Sequence, residues 1–327
     1  MTTVRPIGGY FELERTKKNN PFPQQGGYLV NSGRHALELI LCSIGKIDCL
    51  WIPYFTCEVV LQPLQRLGIE HKLYSIDETL RIDEMPEMGR NDYLLYTNYF
   101  GIMDDYCTEL ADMLGEKLII DNAQALMAKR LEGVKTFYSP RKYVGIPDGG
   151  IAFTDSTFDY DSLDWDVSYN RCSHLLKRVD LGSAEGYANF RQNSAQITVS
   201  PLLKMSKLTK YMLESIDYEG VALQRNLNFA YLHSQLGDYN LFEIPKADSF
   251  ACPMVYPLLV DDSDLKKYLI NNKVFVATYW PNVLEWTKVG TVEYNLTSKL
   301  LAIPVDQRYG REDMDRIICL IKTYLNK

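Results

Sequence analysis

The feature that most constrains this chain is an alternation in its first half. Short apolar runs, CLWIPYF (49–55), HKLYSI (71–76), DYLLYTNYFG (92–101), KLIIDNAQA (117–125) and GGIAFTD (149–155), recur with helix-patterned stretches between several of them. The segment NSGRHALELILCSIG (31–45) places Ala36, Leu37, Ile40, Leu41 and Ile44 at helical spacing after a turn. Strands alternating with helices predict an α/β domain around a mostly parallel sheet. Thr56 is a plausible N-cap for EVVLQPLQRLG (58–68), with Pro63 kinking that helix or delaying its start.

The pattern changes near residue 200. Residues 200–237 read as mostly helical, followed by CPMVYPLLV, a helix-like SDLKKYLINN, KVFVATYW and a last amphipathic helix from Arg311. This predicts an N-terminal arm (1–26), a large domain (27–205), and a linking helix with a smaller α+β domain (206–327). The turn-rich KKNNPFPQQGG (17–27) joins the arm to the body.

Composition excludes several partners. The formal charge is −7, from 35 basic and 42 acidic residues, and no basic run points to nucleic acid or an anionic membrane. An anionic small molecule remains compatible, because local groups rather than net charge would hold it. No apolar run approaches a membrane span. The seven cysteines are scattered without a CxxC, as expected of free thiols in a reducing, cytoplasmic compartment. The four histidines are far apart in sequence, so no metal site is expected.

Three stretches carry chemistry when taken together. Asp121 ends the apolar run KLII, and beyond the carboxyl end of a parallel strand a carboxylate faces a crevice. Alone, it reads more readily as the N-cap of the next helix. Asn31-Ser32-Gly33-Arg34-His35 precedes an apolar helix, where free amides can hold phosphate, or where a Ser/Gly turn merely caps the helix. Ser139-Pro140-Arg141-Lys142 sets a hydroxyl and an amine three residues apart in a turn; most such matches are accidental.

In this order the stretches resemble fold-type I pyridoxal-phosphate enzymes, and among them the DegT/StrS-type sugar-nucleotide aminotransferases. NSGRHAL, IPYFTCEVV, NYFG, DNAQA, KYVGIPDGG and LLAIPVDQRYGREDMDRI are each similar to a motif of that family, over nearly the whole chain. The resemblance implies pyridoxal 5′-phosphate as cofactor and a large domain with a mainly parallel mixed sheet. It also implies a homodimer whose sites are shared between subunits. Lys142 would join the cofactor covalently and move the proton between the substrate's Cα and the cofactor's C4′. Asp121 would pair with the pyridine nitrogen and Gln124 would hydrogen-bond the 3-oxygen. Ser139, with the backbone of Gly33 and Arg34, would hold the phosphate.

The departures are Arg34 in place of a threonine, Asp148 in place of a glutamate, and Cys57 where many members carry the aromatic that stacks on the ring. Phe55, Tyr99 or Phe100 would take over that stacking. Arg308 is a further candidate for a substrate carboxylate or diphosphate, or else a surface arginine at a helix start. The activity implied is transfer of an amino group from an amino acid, glutamate in the first instance, to a nucleotide-linked keto sugar for surface-polysaccharide or glycan precursors. Another pyridoxal-phosphate reaction, or a non-catalytic subunit that keeps the fold, are the alternatives.

Overall fold

A computed structural model describes residues 13–14, 22–246 and 249–326. Most of the expected N-terminal arm lies outside the described residues.

The main sheet has seven strands: β1 (Tyr28–Val30), β2 (Cys49–Pro53), β3 (Glu70–Tyr74), β4 (Asp92–Thr97), β5 (Leu118–Asn122), β6 (Lys135–Tyr138) and β7 (Gly150–Phe153). They lie in the order β1-β7-β6-β5-β4-β2-β3. The block β3-β2-β4-β5-β6 is parallel, whereas β7 runs antiparallel to β6 and β1 antiparallel to β7. The expected mixed, mainly parallel sheet is present. Every residue of β5 is buried, as a central strand covered on both faces requires.

Helix α1 (Gly33–Ile44) forms where its apolar spacing predicts, started by Ser32, whose hydroxyl accepts from the His35 amide. Its buried face, Ala36, Leu37 and Ile40, packs with Leu50, Ile52, Leu95, Ile119 and Phe137 of the sheet. Each buried Leu or Ile there contributes roughly 1.5–3 kcal/mol. Thr56 does not cap the next helix. A 3₁₀ turn, Glu58–Val60, intervenes and α2 (Leu61–Leu67) starts later, with Pro63 in its first turn, where a missing N–H costs nothing. Thr56 is buried instead, its carbonyl accepting from Asn282 Nδ2 at 2.9 Å. Helix α3 (Asp104–Leu114) connects β4 to β5.

After β7 come α4 (Ser173–Asp180) and α5 (Ser183–Val199). The expected long helical stretch is broken into α6 (Lys207–Leu213) and α7 (Tyr218–Leu236). The break has a local cause: the Asp217 side chain accepts from the Gly220 amide and starts a new helix. A second sheet pairs β8 (Val255–Leu259) antiparallel with β9 (Leu300–Pro304). Around it lie α8 (Leu265–Asn271), α9 (Val283–Trp286), α10 (Val292–Lys299) and α11 (Arg311–Leu325). KVFVATYW forms no strand; only Ala277 bridges to Ala302 of β9. One apolar core runs from Leu94, Tyr96 and Ile120 of the main sheet to Tyr256, Leu258 and Ile303 of the second. Among the described residues, no helix is long and apolar enough to cross a membrane.

Candidate active site

The site is assembled where strands β2, β4, β5 and β6 end. Its first part is the turn that starts α1. The amides of Gly33 and Arg34, at the first helical positions, have no intrahelical carbonyl to bond. Ser139, just past β6, lies directly opposite: a Cβ on Gly33 would sit 3.1 Å from Ser139 Cβ and 3.4 Å from its Oγ. Helix amides and a hydroxyl thus converge from segments more than a hundred residues apart.

The pair Gly149–Gly150 holds that turn in place. The Gly149 amide donates to Asn31 O at 3.0 Å. A Cβ on Gly150 would lie 2.1 Å from Ser32 O and 2.7 Å from Gly33 N, closer than any real contact. The preceding residue, Asp148, is fully buried and accepts from Arg171 at 2.8 Å, a guanidinium that also reaches Asp166 at 2.6 Å. Burial pushes the Asp148 carboxyl up to about 6 against the opposing pull of the Thr209 hydroxyl.

The second part surrounds Asp121, the fourth residue of β5. Asp121 is 7% exposed, and its Oδ1 accepts from the Ala123 amide at 2.8 Å. Burial raises its carboxyl above the usual range, while the Lys142 ammonium and the Ala123 amide pull it back. Lys142 ends a single 3₁₀ turn, Pro140–Lys142, and is exposed, its amide bonded to Ser139 O. Cys57 lies within reach of these charges. Burial pushes its thiol up, and the charges of Lys142, Asp121 and Arg34 all act on it. The position that departs from the expected aromatic is therefore the one surrounded by the expected site residues.

Gln124 is fully buried, and its Oε1 accepts from the Phe100 amide at 2.7 Å. That bond fixes the amide orientation, because only the oxygen can accept. Nε2 is left as a buried donor with no partner among the described residues. Such a group is costly unless something binds it. The carbonyl of Gln124 accepts from Tyr143 Oη at 2.7 Å, and the same hydroxyl reaches Cys252 O at 3.2 Å. Arg225, also enclosed, stacks 4.4 Å above the Tyr143 ring. The residue next to Lys142 is thereby tied to α7 and to the segment before β8.

The three aromatics considered for stacking are all enclosed. Phe55, Tyr99 and Phe100 are each 0% exposed. Phe55 and Tyr99 pack at 5.4 Å with Trp280 against Phe55 at 5.1 Å, and Tyr279 lies 5.7 Å from Phe100. The hydroxyls of Tyr99 and Thr97 join Gln124 Nε2 as buried polar groups without a partner among the described residues.

Arg34 turns from the cradle to α2 and α5: its Nη1 donates to Gln62 Oε1 at 2.5 Å and to Thr198 Oγ1 at 2.9 Å. Arg308 makes none of its contacts with these residues. It closes on Asp306 through Nε at 2.6 Å and Nη2 at 2.8 Å, half exposed after β9. The sequence reading passed over Arg141 and Tyr143, although both flank Lys142 in the quoted motif. A cleft of about 450 Å³ runs along Val144, Gly145, Gln224 and Gln307. None of the cradle residues lines it. Among the described residues, no group of His, Cys, Asp and Glu is arranged to hold a metal.

A mainly parallel sheet with two antiparallel strands at one edge, α1 starting at a glycine turn and a small second sheet define the fold-type I transferase architecture. Several solved structures share it. DesV from S. venezuelae superposes with a TM-score of 0.65 at 17% identity, over 92% of this chain and 85% of that one. A DegT DnrJ EryC1 StrS aminotransferase from Brucella abortus gives 0.61 at 17% identity, over 92% and 86%. NtdA from Bacillus subtilis, solved with its cofactor PMP, gives 0.63 at 15% identity, over 92% and 73%. At these identities the likeness is one of fold. No family profile and no curated protein matches the chain.

Proposed function

We propose that this chain is a pyridoxal-phosphate-dependent aminotransferase that moves an amino group from an amino acid, glutamate first, to a nucleotide-linked keto sugar. The observation that carries this reading is the meeting of three separate segments. Gly33 opposes Ser139 at the start of α1, while Lys142 and the buried Asp121 interact across the strand ends. Similar solved structures, among them the sugar aminotransferase CalS13 from Micromonospora echinospora and NtdA with bound PMP, support the same reading. A homodimer, a cytoplasmic location and a place in polysaccharide precursor synthesis belong to this proposal as well.

The residues present fit the group. The amides of Gly33 and Arg34 and the Ser139 hydroxyl would take the phosphate. Asp121 has Oδ1 occupied by the Ala123 amide, leaving Oδ2 to accept from a protonated ring nitrogen. Gln124 Nε2, a donor without a partner, suits a phenolate oxygen. When bound, the cofactor supplies an electron sink for charge developing at the substrate carbon. Lys142, exposed at the edge of the site, would take and return the proton at the substrate carbon. Tyr143, held by Gln124 O and Arg225, keeps the lysine turn aligned with the end of β5.

The test is direct. Purified protein with pyridoxal 5′-phosphate is expected to develop a visible absorption band, and borohydride is expected to label Lys142 in a peptide map. Glutamate and a keto-sugar nucleotide should then give aminated product in single turnover. An unlabelled Lys142 with no visible band would sink the reading.

A further inference from the structure

The carboxylates of Asp148 and Asp166 crowd onto one nitrogen. Arg171 Nη2 lies 2.8 Å from Asp148 Oδ2 and 2.6 Å from Asp166 Oδ2. Arg171 Nε, itself buried, has no partner among the described residues. A guanidinium offers five N–H donors in a fixed fork, and two ionised carboxylates gain by spreading over it. The remaining carboxylate oxygens are already engaged. Asp148 Oδ1 accepts from the Thr209 hydroxyl, which accepts from Ser206 in turn, and Asp166 Oδ1 accepts from the Val167 amide at 2.7 Å. The two Oδ2 atoms therefore meet at Nη2 while a second charged donor stands idle.

Two carboxylates against one guanidinium leave a negative charge in a largely enclosed place, where like charges cannot both ionise cheaply. A proton held between the two Oδ2 atoms removes that charge and accounts for their crowding. Burial, then the Asp166 charge, pushes Asp148 up to about 6 against Thr209 and Arg171. Arg141 on the lysine turn and Cys172 before α4 feel Asp148, and His35 of α1 feels Asp166. None of these three changes charge near that pH: burial sets Arg141 at about 10 and His35 at about 4, and raises the Cys172 thiol.

Asp148 is also the residue next to the loop that seats α1. The Gly149 amide donates to Asn31 O at 3.0 Å, and Gly150 packs on the backbone of Ser32 and Gly33. We propose that Asp148 and Asp166 share one proton between their Oδ2 atoms and form a latch, which holds residues 148–150 against the Asn31–Gly33 turn when protonated and loosens when the proton leaves. Once both carboxylates are ionised they repel at Nη2, and one of them shifts to Nε. Asp148 carries Gly149 with it, so the turn is held tightest in weak acid. The latch rests on the functional reading above only for what that turn would hold.

Infrared difference spectra of the purified full-length chain between pH 5 and 7.5 read the protonated carboxyl. Wild type should lose one such band with a midpoint at about 6. Asp148→Asn and Asp166→Asn each leave a lone carboxylate on Arg171, so each should abolish that titration. The folded chain keeps a proton that the unfolded chain releases near pH ~4, so the urea midpoint should fall as pH rises through this window in wild type and not in the variants. Amide exchange over residues 146–153, compared between proteins at the same pH, should rise several-fold from pH 5.5 to 7.5 in wild type alone. Asp166, at the rim of the cluster, keeps the test open should Asp148→Asn fail to fold. A band that persists in a folded variant, or exchange over 146–153 that does not follow the band, overturns the proposal. Borohydride labelling of Lys142 needs neither carboxylate, so failure of the latch and failure of the aminotransferase reading are scored separately.

Discussion

Gly150→Ala tests how the two halves of the site are joined. The new Cβ would stand 2.1 Å from Ser32 O, 2.2 Å from Ser32 C and 2.7 Å from Gly33 N. All three are backbone atoms, so no rotamer change relieves the clash. The Ser32 carbonyl must retreat by about 1 Å to reach even a tight contact, at an overpacking cost of roughly 1–3 kcal/mol. That carbonyl accepts from the Ala36 amide at 2.9 Å, the first bond of α1, and losing it adds about 1 kcal/mol. Together the cost is about 2–4 kcal/mol, a large share of the roughly 5–15 kcal/mol of a typical domain. The displaced turn carries Gly33 away from Ser139, so phosphate and cofactor affinity should fall along with stability. Urea unfolding midpoints and a pyridoxal-phosphate titration read both effects. Gly145→Ala, on the same loop, is the control: its nearest neighbour, Leu175 Cδ2, is 3.7 Å away, and the change should stay within about 0.5 kcal/mol. A Gly150→Ala protein with a wild-type midpoint and wild-type cofactor affinity would refute the reasoning.

Two more outcomes follow from buried polar groups. Tyr143→Phe removes the hydroxyl shared by Gln124 O and Cys252 O, and the two carbonyls left behind should cost about 1–3 kcal/mol in chemical denaturation. Burial, then Arg66, holds the enclosed His35 imidazole down to about 4 from the usual 6.5. The folded protein therefore resists a proton that the unfolded chain accepts. Stability is full above pH ~6.5 and falls as pH drops toward ~4, by on the order of 3 kcal/mol for this residue. His35→Gln should flatten that acid limb when urea midpoints at neutral and acid pH are compared; an unchanged slope would remove His35 as its source.

How much of this was legible in the sequence depended on the range of the forces involved. Strands β2, β4 and β5 announce themselves because a strand covered on both faces must be largely apolar, as Leu118–Ile120 are. The α1 helix is written in its own spacing and its Ser32 cap. By contrast, β1 and β6 are three and four residues long, and β6 begins with Lys135, so neither carries a periodicity to read. The break at Asp217 is a single side-chain bond inside an otherwise helical pattern. Arg141 escaped notice for a different reason: its burial comes from α5, fifty-three residues further on, folding its Ser194 and Phe190 over the guanidinium. Composition cannot express that contact. Nor could it show that Arg308 closes on its own neighbour Asp306.

The departures from the resembling family also turn out to be physically connected rather than scattered. Asp148 neutralises Arg171 together with Asp166, so that cation contributes little field at the cradle. Arg34, Arg141 and Lys142 have no such partner among the described residues; the carboxylate that faces Lys142, Asp121, is itself raised by burial. Cys57, set among Lys142, Asp121 and Arg34, is a small residue whose buried thiol stays neutral. An overall charge of −7 therefore surrounds a locally positive site. Because fields in a partly buried site are screened less than those at the surface, the local sign decides what binds. A chain that the net charge alone would class as repelling anions is built, at the start of α1, to collect one.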